Sequence, residues 1–537
     1  QDSLNSVSDM LHALQVSEKT LKKGEIEAPR YRALYLDEQL KEKQGISVER
    51  ERSYKSLIRN MKSVEDSDFE LPESLKKVLR PYQQKGFFWL KTLCQNGFGG
   101  ILADDMGLGK TLQVIAFLLS SFEEGEEKRS LIISPASLVY NWENEIHRFA
   151  PALPVRVLAG TAEERTEILK NGVPGEILVT SYETMRRDQE LYKGEDFFCE
   201  VIDEAQYIKN AGTKGARAVK SVSAQMKLAL TGTPVENRLS ELWSIFDYLM
   251  PGFLYSYEHF KKNFEMPIMK KENEDAMADL QKMIRPFILR RLKKEVLSDL
   301  PDKIEKCVMI PLEGEQKKLY DAHVQRLKFM LENEEFANIR MQVLAELTRL
   351  RQLCCDPALI YQDYQEGAAK MELCMELLNN AVNGGHKVLL FSQFTSMLGI
   401  LEKRMEEAGI GYYSLTGSTP KKERMELMEK FNRDATPVFC ISLKAGGTGL
   451  NLTGADVVIH YDPWWNVAAE NQATDRAHRI GQKRVVTVYK LVAEHTIEEK
   501  VVELQQKKKE LADQVLSGEE MGSILFDREE LLKLFQN

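Results

Sequence analysis

Ile101-Leu102-Ala103-Asp104-Asp105-Met106-Gly107-Leu108-Gly109-Lys110-Thr111-Leu112 carries the chain from a short apolar run into a helical one, and its reading decides the fold. Gly107 and Gly109 let backbone amides turn toward phosphate oxygens where the helix begins. Lys110 is placed to neutralise the β and γ phosphates, and the Thr111 hydroxyl suits Mg2+. A strict phosphate-loop pattern has glycine where Asp104 stands, so the string alone is an incomplete match and context must supply the rest.

That context comes downstream, at Val201-Ile202-Asp203-Glu204-Ala205-Gln206, where two carboxylates end another apolar run. Asp203 suits a divalent metal and Glu204 the activation of water, at the sheet edge where such loops gather. An acidic pair after a strand is also a common helix cap, and by themselves Asp203 and Glu204 leave both readings open. With Thr231-Gly232-Thr233-Pro234 after the next run, three motifs stand at strand ends, and nucleoside triphosphate hydrolysis becomes the reading.

Outward from these strings, short β-branched runs alternate with helical stretches: Gly100 to Ala103, Leu131 to Ser134, Ile177 to Thr180, Val201 to Ile202 and Leu228 to Leu230. This alternation predicts a parallel sheet wrapped by helices. It returns with Val388 to Phe391, Tyr412 to Leu415, Val438 to Ser442, Val457 to Tyr461 and Val485 to Tyr489, predicting a second α/β lobe. Between them the chain reads mainly as helix, with Leu344, Leu347, Leu350 and Leu353 at helical spacing. Thr496 and Glu499 form a capping box before Ile497, Val501, Leu504, Leu511 and Val515, predicting a long closing helix. The expected division is a helical appendage over 1–68, a first lobe over 69–240, helical protrusions and an interlobe linker over 241–370, a second lobe over 371–495, and a C-terminal brace helix with tail over 496–537.

At 537 residues the chain is too long for one core. Without an apolar run of about eighteen residues, a soluble protein is expected, cytoplasmic or nucleoid-associated. The first residue is Gln1 rather than methionine, so a piece of a longer protein is expected. Seven cysteines lack the spacing of zinc or disulfide frameworks, and the neighbours Cys354 and Cys355 read as core residues. The net charge of −9 excludes a surface coated in positive potential and confines any polyanion contact to local basic stripes. Candidates are Arg186 and Arg187, then Arg290, Arg291, Lys293 and Lys294, then Lys421, Lys422 and Arg424, and Lys483 with Arg484. Taken by themselves these read as solvated faces.

From Leu79 to about Gln505 the order of blocks closely resembles the Swi/Snf-type chromatin-remodelling ATPase family of helicase superfamily two. The first lobe matches at Leu79-Arg80-Pro81-Tyr82-Gln83, Asp105 to Thr111, Ser134-Pro135-Ala136-Ser137-Leu138 and Leu230 to Pro234. The second matches at Phe391-Ser392-Gln393-Phe394, Ser442 to Leu452, and Gln472-Ala473-Thr474-Asp475-Arg476-Ala477-His478-Arg479-Ile480-Gly481-Gln482. The resemblance implies two RecA-like lobes. It also implies ATP with Mg2+ held by Gln83, Asp105, Met106, Gly107, Leu108, Gly109, Lys110 and Thr111, with Gln83 on the adenine. Lys110, Asp203, Glu204, Gln472, Arg476 and Arg479 are implied as catalytic, the two arginines reaching across the cleft as arginine fingers.

Double-stranded DNA is implied as the partner, gripped through phosphates by Pro135, Ser137, Thr180, Ser181, Gln393, Arg424, Lys444, Gly446, Gly447 and Thr448, with Trp465 beside the track. Little sequence preference and strong salt dependence follow, and the helical insertions with the segment Ile288 to Lys294 are implied to coordinate the two lobes. Two departures stand out: Asp104-Asp105 where many members have Asp-Glu, and Gln206 where eukaryotic members have histidine, a form closer to bacterial and archaeal relatives. The expectation is a monomeric duplex translocase acting on RNA polymerase, another DNA-bound protein or bare duplex. Its rivals are a strand-separating helicase and a nucleotide-gated binding module without turnover.

Overall fold

The computed structural model describes residues 29–42, 49–62, 68–232, 239–271, 273–297, 301–333, 336–443, 451–464, 467–479, 481–503 and 505–506. The chain forms two compact units and passes from the first to the second between Val296 and Leu297.

The first unit holds a seven-stranded sheet of order β3-β4-β2-β5-β6-β1-β7. Its strands are β1 (Gly100–Leu102), β2 (Ser130–Ser134), β3 (Val155–Val157), β4 (Ile177–Ser181), β5 (Asp196–Asp203), β6 (Ser223–Leu230) and β7 (Ile288–Leu289). All pair in parallel. Every residue of β1, β2 and β4 is buried, as parallel strands covered by helices on both faces must be. Leu102 and Asp203 both stand opposite Leu230, so β1, β5 and β6 end at one level and their following loops share one edge. Two strand spacings, about 10 Å, separate the β1 and β5 backbones there.

The N-terminal helices Arg32–Glu42 and Arg52–Lys62 contribute Leu34, Tyr35 and Leu57 to the first unit's core. The Arg32 guanidinium lies 4.0 Å from the centre of the Tyr255 ring.

The second unit holds a six-stranded parallel sheet of order β10-β11-β9-β12-β13-β8. Its strands are β8 (Lys303–Pro311), β9 (Val388–Ser392), β10 (Tyr412–Leu415), β11 (Val438–Ser442), β12 (Val457–His460) and β13 (Val486–Glu494).

Three strands depart from the sequence reading. β3 and β7 are too short to show a period. β8 lies inside the stretch expected to be helical and pairs along its whole length with β13, from Lys303 opposite Val486 to Pro311 opposite Glu494. Only Ile310 is buried in β8, and its charged first half disguises a strand attached to the sheet mainly by its hydrogen bonds.

The interlobe helices show a second difference. In the helix Phe336–Cys355, Leu350 and Leu353 are fully buried, whereas Leu344 is 51% exposed and lies off the packed face. The cap near Thr496 is also shifted. Its hydroxyl accepts from the Glu498 amide at 3.2 Å, while the Glu499 carboxylate accepts from the His495 amide at 2.8 Å. Ile497 and Val501 are buried as expected. Leu504, Leu511 and Val515 lie outside the residues whose side chains are described.

Candidate functional site

Gly107 (φ +83°) and Gly109 (φ +76°) occupy the left-handed region that glycine enters without cost, which lets the loop after β1 double back before the helix Lys110–Glu123. No side chain caps that helix, and its first-turn amides have no acceptor within it, an arrangement suited to anionic oxygens. The loop is held from beneath. The Leu108 carbonyl accepts from the Tyr82 hydroxyl at 2.9 Å and from Gln83 Nε2 at 3.0 Å. Gln83 Oε1 in turn accepts from the Arg80 amide at 2.9 Å. Lys110 Nζ donates to the Asp104 carbonyl at 2.6 Å. Met106 and Thr111 are half-buried, and the Asp105 carboxylate accepts from the Lys293 amide at 3.0 Å.

Asp104, the departure from the strict pattern, is fully buried and ion-paired to Arg291 at 2.5 Å. Arg291 and Lys293, read from sequence as part of a solvated basic stripe, are therefore not on a solvated face. Lys293 is 7% exposed and the Arg291 side chain 11%.

At the end of β5, Asp203 Oδ2 accepts from the indole of Trp142 at 2.9 Å and Oδ1 from the Glu204 amide at 2.9 Å. The Tyr182 hydroxyl holds the Asp203 carbonyl at 2.8 Å. Glu204 adopts φ +54°, a left-handed conformation that costs a residue with a Cβ of order 1–3 kcal/mol. Its carboxylate accepts from Gln206 Nε2 at 2.9 Å, and Gln206 Oε1 accepts from the Thr231 hydroxyl at 3.3 Å. The second and third strand-end motifs are thus joined inside one unit through Gln206.

Burial holds the Asp203 carboxyl up at about 7, and the neighbouring Glu204 charge adds to the rise. The Trp142 indole and the Lys110 ammonium pull the other way. A carboxylate in this setting gains most from a cation beside it. With Thr111, the uncapped amides and Lys110 nearby, the donor set fits a nucleoside triphosphate with Mg2+. Among the described residues no group of three or more His, Cys, Asp and Glu side chains forms a metal cage. Mg2+ bound largely through phosphates needs only one or two carboxylates.

The residues expected on the DNA side are placed unevenly. Pro135 is buried and Ser137 half-buried after β2. Thr180 is fully buried, and the Ser181 hydroxyl caps the short helix Tyr182–Arg187 by accepting from the Thr184 amide at 3.1 Å, so neither hydroxyl is simply presented to solvent.

In the second unit, Gln393 Nε2 is buried and has no hydrogen-bond partner among the described residues. Arg424 spends its guanidinium on the turn after β10, donating to the carbonyls of Thr419 at 2.8 Å and Gly417 at 3.0 Å. Gln472 lies half-buried on the helix Val467–Thr474, with Arg476 at 3% exposure and Arg479 half-buried just after it. Thr233, Pro234, Lys444, Gly446, Gly447, Thr448 and Trp465 lie outside the described residues.

Trp142 and Tyr182, which hold Asp203, and Arg291, which holds Asp104, were not singled out individually from sequence. Trp142 and Tyr182 sit at apolar helical positions whose polar atoms matter only once the neighbouring strand is in place.

No helix among the described residues is long and apolar enough to cross a membrane. Residues 82–359 match the SNF2-related domain, 369–481 the helicase conserved C-terminal domain, and 1–72 the bacterial SNF2 helicase associated domain. An uncharacterized ATP-dependent helicase of Mycoplasma pneumoniae is 41% identical over 490 residues, covering 89% of this chain and 46% of the relative. The putative ATP-dependent helicase/translocase YwqA of Bacillus subtilis is 40% identical over 502 residues, covering 91% of this chain and 54% of the relative. The Sulfolobus solfataricus SWI2/SNF2 ATPase core in complex with dsDNA is 40% identical and covers 84% of this chain and 96% of that one, with a TM-score of 0.43. The chain spans about half the length of the curated relatives it matches. With the SNF2-related match alone taking in more than half of the residues and its strand-end motifs assembled on one sheet edge, the chain belongs to the SNF2 family.

Proposed function

We propose that this chain is a DNA-dependent ATPase that moves along double-stranded DNA without obligatory strand separation, a monomeric motor whose load is RNA polymerase or another DNA-bound protein. The observation that carries the reading is the shared edge of the first sheet. There the phosphate loop, the Asp203-Glu204 pair and Thr231 leave neighbouring strands at one level, and Gln206 ties Glu204 to Thr231.

In this reading Lys110 and the first-turn amides bind the β and γ phosphates, and Gln83 positions the loop while reading the adenine. Thr111 and Asp203 would hold Mg2+, which when bound supplies charge neutralisation at the phosphates. Glu204, set apart from Asp203 by its left-handed backbone and steadied by Gln206, orients the attacking water and takes its proton. Arg476 and Arg479 act as arginine fingers on the charge that develops at the phosphoryl group. The hydrogen bonds Glu204–Gln206–Thr231 give hydrolysis a route to the third motif in the absence of the histidine common in eukaryotic members. DNA is gripped through its phosphates by Pro135, Ser137, Thr180, Ser181, Gln393, Arg424, Lys444, Gly446, Gly447 and Thr448, with Trp465 alongside. The orphaned Gln393 amide supports a polar ligand at that position.

The test is ATP turnover with duplex DNA, single-stranded DNA, RNA or no nucleic acid, with Glu204→Gln as control. Stimulation by duplex alone, lost in Glu204→Gln, is the expected result. Stimulation chiefly by single strands or RNA replaces the translocase with a strand-separating helicase, and absence of turnover throughout replaces it with a nucleotide-gated binding module.

A further inference from the structure

Asp104 places a fully buried negative charge at the root of a loop that is to receive a triphosphate. An uncompensated carboxylate there would be costly in itself and would repel the ligand. The structure answers it with one side chain from far along the sequence. Arg291 Nε donates to Asp104 Oδ1 at 2.9 Å and Nη2 to Oδ2 at 2.5 Å, the two-pronged geometry that guanidinium makes and ammonium cannot. The same guanidinium donates to the Tyr82 carbonyl and to Gln113 Oε1, the latter at 2.7 Å, and lies 5.2 Å from the centre of the Tyr82 ring. Gln113, on the helix that follows the loop, returns a hydrogen bond to Asp104 Oδ2 at 3.1 Å.

Both ends of the phosphate loop and the Tyr82–Gln83 support beneath it therefore converge on Arg291. Main-chain bonds continue the tie, from the Ala103 amide to the Leu289 carbonyl at 2.7 Å and from the Asp105 amide to the Arg291 carbonyl at 3.0 Å. Shortly beyond Arg291, at Val296, the chain leaves the first unit.

We propose that Arg291 is a positioning residue of the nucleotide site, which cancels the Asp104 charge against the incoming triphosphate and fixes the phosphate loop to the segment through which the chain leaves the first unit. The proposal deepens the ATP reading and rests on it. Arg291 touches no reacting atom, and its effect belongs to nucleotide affinity more than to the chemical step.

The experiment is titration of the full chain with a fluorescent ATP analogue and Mg2+, alongside kcat and KM for ATP, for the wild type, Arg291→Gln, Arg291→Lys, Asp104→Asn and the double variant Arg291→Gln/Asp104→Asn. Without the guanidinium the buried Asp104 carboxylate faces the triphosphate uncompensated, so Arg291→Gln is expected to weaken binding and raise KM by about tenfold or more while kcat changes less. Arg291→Lys, which keeps the charge and loses the fork, is expected to fall between. Restoring neutrality with Asp104→Asn in the Arg291→Gln background should return affinity to within about threefold of the wild type, because it removes the buried charge that Arg291 was cancelling.

Should Arg291→Gln prove unstable, the comparison of the wild type with the double variant still decides, because the pair is neutral in both. Affinities within about threefold support charge cancellation, and a double variant that binds about tenfold more weakly than the wild type overturns it. Nucleotide affinity unchanged in Arg291→Gln also overturns it. A wild type that does not bind the analogue at all overturns the ATP reading instead.

Discussion

His460 ends β12 fully enclosed, its Nε2 2.8 Å from the Thr474 hydroxyl and its ring stacked on Phe391. Burial pulls its pKa down to about 4 from the ordinary 6.5, against the attraction of Glu470 and with the Lys490 charge assisting. Because the folded value lies below the unfolded one, the neutral imidazole contributes stability that is present above about 6.5 and lost as pH falls through about 4. The window corresponds to ~3 kcal/mol at most. Denaturant unfolding of the wild type and His460→Gln at pH 7 and pH 4.5 should show the smaller loss in the variant. Equal losses would show that His460 is not the group responsible. At this scale the sequence was most legible where a residue's chemistry is carried by its own backbone neighbourhood. The glycines of the phosphate loop and the acidic pair are such cases. It was least legible where a side chain is assigned its task by a distant partner. Arg291 by itself read as a surface charge, and the resemblance placed its segment only as a coordinator of the lobes, because nothing beside it in sequence reveals Asp104.

Elements obey the same division. The apolar strands β2, β4, β9 and β11 declare themselves, while β8 is charged, mostly exposed and held by its ladder to β13 with Ile310 as its one buried side chain. The start of the closing helix, with Ile497 and Val501 buried, was legible in sequence, but what anchors it was not. Lys370, on the helix Ala369–Asn383, and Glu498 form a fully buried ion pair, with Lys370 Nζ also donating to the Tyr461 carbonyl at 3.0 Å. Glu498 further accepts from the Ala493 amide at 2.9 Å, and the Tyr320 hydroxyl accepts from the Ile497 amide at 2.8 Å. Removing one partner leaves a stranded charge, so Lys370→Met should destabilise the second unit by about 3–5 kcal/mol in chemical denaturation. Lys370→Met/Glu498→Leu should recover most of that loss. A single variant within about 1 kcal/mol of the wild type would rule out an energetically important pair.

For the whole molecule, two units with separate cores predict two calorimetric transitions. All residues of the phosphate loop belong to the first unit. A non-hydrolysable ATP analogue with Mg2+, at about a hundred times its Kd, should stabilise that unit by ~2.7 kcal/mol and raise its transition temperature. Lys110→Ala should abolish the shift. A shift that survives Lys110→Ala would place nucleotide binding elsewhere.

The path of the chain between the units also has a mechanical side. It leaves the first sheet from the outermost strand β7, whose ladder is two residues long, and enters the second through the outermost strand β8, whose ladder runs for nine. Tension carried along that connection meets two ladders of unequal length, and the shorter one is stitched to the loop after β1 at Ala103 and Asp105. A pull on the chain would reach the loop after β1 through these bonds and the Arg291–Asp104 pair, so load on the connection and the shape of that loop are linked.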